Sequence, residues 1–203
     1  MISLLENQFI DYLQSQKPHL RSVDRSRLSI KTEIVSAIHF DIMDKETSII
    51  QPIGRGSATY DNPEGKTITF IDYEHFINQL PLDLQKGIKR CDFIAYDSEH
   101  LTFFILNELS QSESVKSKLN DARQQLYTTA LYLSSTPAIK VFIDQHQRKK
   151  CIFSNKQQRI STPEGVADAF HLIQSYLPEP ITHNFQPIQK LGFDFIETAI
   201  VYV

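Results

Sequence analysis

The chain has 203 residues, 41% hydrophobic and 22% charged, with a formal net charge of −3. These proportions exclude a disordered or fibrous protein and suit one packed domain, while the charge supplies no global field toward nucleic acid. No apolar run reaches the ~18 residues of a membrane-spanning helix. Glu6 and Asp11 interrupt the stretch where a secretion signal would lie, so a cytoplasmic protein without membrane association is expected. Two cysteines, outside any CxxC or Cys/His cluster, are too few for a disulfide framework and read as buried, reduced core residues.

In chain order, Ile2, Leu5, Phe9 and Leu13 recur at helical spacing and predict a helix over 2–16, ended by Lys17-Pro18. A second helix is expected over about 26–39, with Leu28, Ile34, Val35 and Ile38 on its buried face and Glu33 within it. Strand signals follow at 47–53 and 66–72, and GRGSATYDNPEG between them reads as loop. Residues 72–89 read as a short helix or loop broken by Pro81. CDFIAY and LTFFILNEL, rich in aromatic and branched residues and separated by Asp-Ser-Glu-His, predict a hairpin. Ser112 or Ser114 caps a helix running to about Leu133, with Glu113 in its first turn. After Pro137, AIKVFID (138–144) reads as a strand, QHQRKK as a charged turn, and residues 151–153 as its hairpin partner. Thr162-Pro163-Glu164 opens a helix bearing Val166, Phe170, Ile173 and Leu177, and 193–203 is a final strand. The expected class is α/β (an α+β mixed sheet), a central mixed sheet flanked by helices in a single domain over 1–203.

The hairpin carries the chemistry. A five-residue loop centred on Glu99 sets Asp92 opposite Leu106 and makes Glu108 its diagonal neighbour on the same face. A slip of one residue would send the two carboxylates to opposite faces. Converging carboxylates suit a hard divalent cation such as Mg²⁺ or Mn²⁺, with water and a substrate phosphate as its other ligands. Such an ion polarises a phosphodiester and activates water.

The run KRCDFIAYDSEHLTFFILNELSQSE…KLNDARQQLYTTALYL resembles the pattern of the PD-(D/E)XK nuclease-like superfamily: Asp, hairpin, Glu-x-Lys, then a glutamine-bearing helix. The expected order of helix, three meandering strands, helix and strand agrees over about 26–145. The resemblance implies a restriction-endonuclease-like core there, with a strand-helix-strand elaboration over 146–203. It implies an endonuclease or exonuclease that cleaves DNA or RNA with Mg²⁺ or Mn²⁺. Asp92 and Glu108 match the family's two acidic positions, Gln124 or Gln125 its helix glutamine, and Glu33 the acidic residue an N-terminal helix contributes. The family's lysine belongs two residues after Glu108, where this chain has Ser110, and a serine hydroxyl supplies no charge. Lys118 lies two turns from Gln125 along one edge of the apolar stripe Val115, Leu119, Ala122, Leu126, Ala130 and Leu133, so it can stand in for that lysine. Lys116, across the stripe, is the weaker candidate.

Two other readings stay open: a degenerate member that binds nucleic acid or protein without cutting, and an unrelated α/β interaction protein. Gly54-Arg55-Gly56-Ser57 lacks the ending of a phosphate loop, and neither GxSxG nor HExxH occurs. The basic runs Arg21-Arg25-Arg27-Lys31, Lys86-Lys89-Arg90 and Arg148-Lys149-Lys150 can touch phosphates or serve as solvated faces.

Overall fold

The computed structural model describes residues 1–20, 22–44, 46–110, 115–155 and 179–203, without the side chains of 115–117. The first helix, α1, consists of Ile2–Leu4 and Ile10–Gln16 joined by a π-helical turn, Leu5–Phe9. Its Leu5, Phe9, Ile10 and Leu13 are buried, as their spacing requires. The helix expected over 26–39 is absent. A 3₁₀ turn, Arg25–Arg27, and strand β1, Thr32–Val35, stand there, with Ile34 and Ile38 70% and 53% exposed. Thr32, Ile34 and Val35 are β-branched and suit a pleated ladder better than a helix.

Strands β2 (His39–Ile42), β3 (Ile50–Gln51) and β4 (Ala58–Asp61) follow. β4 lies inside the stretch expected to be loop. It reaches β2 because a Cβ at Gly56 would stand 2.5 Å from Asp41 Cβ. Glycine lets the chain close on Asp41, whose carboxylate accepts from Gly54 N at 2.8 Å and Gly56 N at 2.9 Å. Next come β5 (Ile68–Asp72), α2 (Tyr73–Asn78), α3 (Leu82–Gln85), β6 (Phe93–Asp97), β7 (Phe103–Ser110) and the long helix α4 (Val115–Ser135).

The expected strand over 138–144 is a helix, α5 (Pro137–Asp144), with Pro137 in its first turn. Ile139 and Ile143, one turn apart, are buried while Val141 is 62% exposed, a helical rather than an alternating pattern. Strand β8 (Arg148–Asn155) therefore has no hairpin partner in 138–144 and pairs in parallel with β7. After β9 (Ile181–His183) and α6 (Gln186–Gln189), the expected last strand divides into β10 (Asp194–Glu197) and β11 (Ile200–Tyr202). The helix expected after Thr162, and the caps at Ser112 and Ser114, lie outside the described residues.

The result is the mixed α/β class, with a seven-stranded sheet in the order β1-β5-β6-β7-β8-β10-β9 and a four-stranded sheet in the order β11-β4-β2-β3. The large sheet is antiparallel from β1 to β7 and parallel from β7 through β8 to β10. One face, with Ile94, Phe104, Leu106 and Phe153, packs on helix residues including Phe9, Phe76, Leu126 and Ile143. The other, with Phe70, Phe93, Phe103 and Ile105, packs on Phe40, Tyr60 and Val201 of the small sheet. Strands covered on both faces read as continuous apolar runs, which accounts for the sequence of β6 and β7. Among the described residues, no helix is long and apolar enough to cross a membrane.

Candidate active site

The β6–β7 ladder pairs Phe93 with Asn107, Ile94 with Leu106, Ala95 with Ile105 and Tyr96 with Phe104. The ladder ends at Phe93 and Asn107, and its register continued by one residue sets Asp92, just before β6, across from Glu108. This is two residues along from the register expected with Leu106, and a shift of two keeps the face. Asp92 and Glu108 share the parity of Ile94 and Leu106, so both belong to the helix-covered face.

Asp97 fixes the register. Its buried carboxylate accepts from Glu99 N at 3.1 Å, His100 N at 3.0 Å, Thr102 N at 3.3 Å and Thr102 Oγ1 at 2.7 Å. Burial works to raise its pKa, but these donors outweigh it and hold the carboxyl down at about 2. The loop so pinned is 98–102, one residue later than the loop the sequence suggests.

Asp92 joins three elements. Its carboxylate accepts from Leu109 N at 2.7 Å. Its carbonyl accepts from Tyr73 N at 2.9 Å and Glu74 N at 3.2 Å, drawing the first turn of α2 to the strand end. Asp72 caps that helix by accepting from His75 N at 2.9 Å. Glu74 is thereby set beside Asp92, with its Oε1 3.9 Å from Arg90 Nε. Asp44 approaches from the connection between β2 and β3, and one carboxylate oxygen each of Asp44, Glu74 and Asp92 lies within 4.8 Å of the others. Ionised carboxylates at that spacing repel by roughly 3 kcal/mol per pair at an effective dielectric of 20.

Glu108 is only 8% exposed. The Gln125 side chain bonds its carboxyl, yet among the described residues Oε2 has no hydrogen-bond partner. Burial pushes its pKa up to about 10, reinforced by Asp92, Glu74 and Asp44 and opposed by Gln125. Gln125 Nε2 also donates to the Arg90 carbonyl at 3.1 Å, tying α4 to the chain just before β6. A cleft of about 460 Å³ opens here, lined by Glu74, Arg90, Glu108, Ser110, Lys118 and Gln125 among others.

Glu108, Lys118 and Gln125 line this cleft, Asp92 adjoins it through Leu109 N and the first turn of α2, and Gln124 is exposed and does not line it. The side chain of Lys116 lies outside those described. Glu33 is elsewhere, on β1 rather than a helix. It pairs with Phe70, whose side chain belongs to the small-sheet face. Its carboxylate accepts from Ser48 Oγ at 2.8 Å, Ile49 N at 2.6 Å and Ile50 N at 3.0 Å, a turn-pinning role. Glu74 and Asp44 are the residues the sequence reading misses, while Lys89 and Arg90 of the expected basic run line the cleft. Asp72-Tyr73-Glu74, a cap and an acid at a strand-to-helix step, is a legible signal for Glu74. No local pattern marks Asp44. Cys91 and Cys151 are free and buried, as expected.

The donor set is all oxygen, and Glu108 Oε2 is a buried carboxylate oxygen without a donor among the described residues. Both fit a hard divalent ion such as Mg²⁺ or Mn²⁺ better than a thiolate-seeking metal. Compared with known protein families, curated proteins and solved structures, the chain gives no significant match. The chain is a mixed α/β protein with a carboxylate-rich cleft at one end of its main sheet.

Proposed function

We propose that the protein is a divalent-metal-dependent nuclease of the PD-(D/E)XK type, hydrolysing phosphodiesters of DNA or RNA in this cleft. The observation that carries the reading is Asp92 at the end of the β6–β7 ladder across from Glu108, with Glu108, Lys118 and Gln125 lining one cleft. The order of a β5–β6–β7 meander, α4 and a parallel β8 agrees with a restriction-endonuclease-like core. Asp92 and Glu108 would hold Mg²⁺ or Mn²⁺, with Glu74 in the place that the sequence reading gave Glu33. A divalent ion held there would supply polarisation of the phosphodiester and a lowered pKa for water. Lys118 lines the cleft alongside Ser110 and offsets the negative charge that develops on the phosphate, the task of the family's lysine. Gln125 orients Glu108, and Lys89 and Arg90 at the cleft wall offer contacts to flanking phosphates.

The uncharged Ser110 favours a second reading, a fold that binds nucleic acid without cutting it. The test is incubation of the full chain with end-labelled single- and double-stranded DNA and RNA in Mg²⁺ or Mn²⁺. The nuclease reading predicts cleavage that EDTA stops and that Asp92→Ala lowers at least about 100-fold. Retention of the oligonucleotide without cleavage transfers the site to the second reading. Neither cleavage nor binding overturns both.

A further inference from the structure

Glu108 lines the cleft but is only 8% exposed, and its Oε2 is buried, so a substrate phosphate has to enter the cleft to approach it. The space measures about 460 Å³, the scale of pockets that enclose one small molecule, with room for about one nucleotide. Two walls flank it. Glu74 of α2 and the segment Ile88, Lys89 and Arg90 form one, beside β6. The other is α4, with Lys118 and Asp121, which packs on β7 and β8 and runs 21 residues, about 30 Å. Cations therefore stand on both walls. In a duplex the second backbone lies across a groove ~6–12 Å wide, and walls on both sides of one phosphate leave it no place.

The charges point the same way. A protein that holds a duplex by its backbones makes about 6–10 phosphate contacts. The cleft offers three cations, Lys89, Arg90 and Lys118, with the carboxylates of Glu74 and Asp121 among them. Elsewhere Arg25 pairs with Asp11, Arg27 with Asp24 at 3.0 Å, Lys66 with Glu64 at 3.1 Å and Lys149 with Asp144 at 2.8 Å. Those cations are already neutralised, and the net charge of −3 supplies no field to hold a second strand.

We propose that the cleft takes one unpaired strand of nucleic acid and excludes the double helix. The proposal rests on the nuclease reading above for the nature of the ligand, and deepens it by naming the substrate class. The strand lays its backbone between Lys89 and Arg90 on one wall and Lys118 on the other, with one phosphate above Glu108.

The test is the fluorescence anisotropy of short labelled DNA and RNA, each as a single strand and as the matching duplex. Rapid mixing with the full chain in Mn²⁺ reads binding before cleavage. Single strands are expected to bind at least about tenfold tighter than duplexes, with log K falling against log salt at a slope of about −2, since each phosphate neutralised on a single strand contributes ~0.7. Lys89→Ala makes that slope shallower by about 0.7 and weakens binding of every single-stranded sequence. Arg148→Ala, at the opposite end of β8, keeps the affinity within a factor of about two. Thermal melts establish that each variant is folded. Duplex bound as tightly as single strand, no binding of any single strand, or equal losses in Lys89→Ala and Arg148→Ala overturns the proposal. Duplex cleaved as fast as single strand overturns it too, while sparing the nuclease reading. Single strands bound but left intact support it and remove the nuclease reading. Preference for either sugar supports it, and the tighter of DNA and RNA identifies the backbone.

Discussion

Asp92, just before β6, and Glu108 on β7 stand across from each other where the ladder's register runs on past Phe93 and Asn107, and their carboxyl groups differ sharply in support. Asp92 accepts from Leu109 N at 2.7 Å, whereas one oxygen of Glu108 is buried without a donor among the described residues. Cross-strand neighbours on one face have Cβ atoms ~4.5–5.5 Å apart, so the charge of one is felt by the other. In the proposed metal centre a divalent cation would relieve this arrangement, and the metal-free fold carries its electrostatic cost.

That cost has a pH signature. In the metal-free fold, Glu108 keeps its proton up to about pH 10, while the unfolded chain loses it near the ordinary value of 4.5. Between those values the unfolded state binds fewer protons, so metal-free stability falls as pH rises through the window. Glu108→Gln removes this slope and raises metal-free stability at pH 8 by on the order of 2 kcal/mol. Urea denaturation in EDTA at pH 6 and pH 9 checks it, and parallel profiles for parent and variant would contradict it.

Lys118 carries the positive charge that Ser110 lacks. Lys118→Ala is expected to slow cleavage about 100-fold while leaving Mn²⁺ affinity within a factor of two. Adding Ser110→Lys to that variant restores much of the rate, because both positions line one cleft. Single-turnover cleavage beside a Mn²⁺ titration separates the two effects.

Gln125 joins Glu108 to the Arg90 carbonyl, so in the proposed metal centre it would position Glu108 rather than bind an ion itself. Gln125→Ala should weaken Mn²⁺ binding about tenfold, the range seen when a ligand loses its supporting hydrogen bond. Calorimetric titration measures it, and unchanged affinity would place Gln125 outside the metal centre.

The hairpin itself depends on Asp97. Asp97→Ala leaves three loop N–H groups without their acceptor and should destabilise the fold by about 2–4 kcal/mol. In the parent, a depressed carboxyl contributes stability above its ordinary value of 3.8, and that contribution is lost as pH falls toward about 2. Denaturation midpoints between pH 5 and pH 2 should therefore converge for parent and variant.

What the sequence made legible was local. The alternation in CDFIAY and LTFFILNEL placed Asp92 and Glu108 on one face, and the stripe from Ala122 to Leu133 placed Lys118 and Gln125 beside it. Register was off by two because loop length depends on where Asp97 gathers its donors, which spacing does not encode. Residues 32–35 became a strand through pairing with β5, a long-range partner, so the expected helix and its Glu33 ligand were lost together. AIKVFID is rich in branched residues and reads as strand, yet Pro137 and the four-residue spacing of Ile139 and Ile143 decide for helix. Asp44 comes from another sheet, and only the folded chain brings it to Glu74 and Asp92.

The measurement closest to the central claim is cleavage of labelled DNA and RNA by the parent and by Glu108→Ala, side by side in Mg²⁺ and in Mn²⁺. Thermal melts establish that both chains are folded. The account predicts metal-dependent cleavage by the parent and a loss of at least about 100-fold in the variant. Equal cleavage by the two proteins, or none by the parent with either ion, would contradict it.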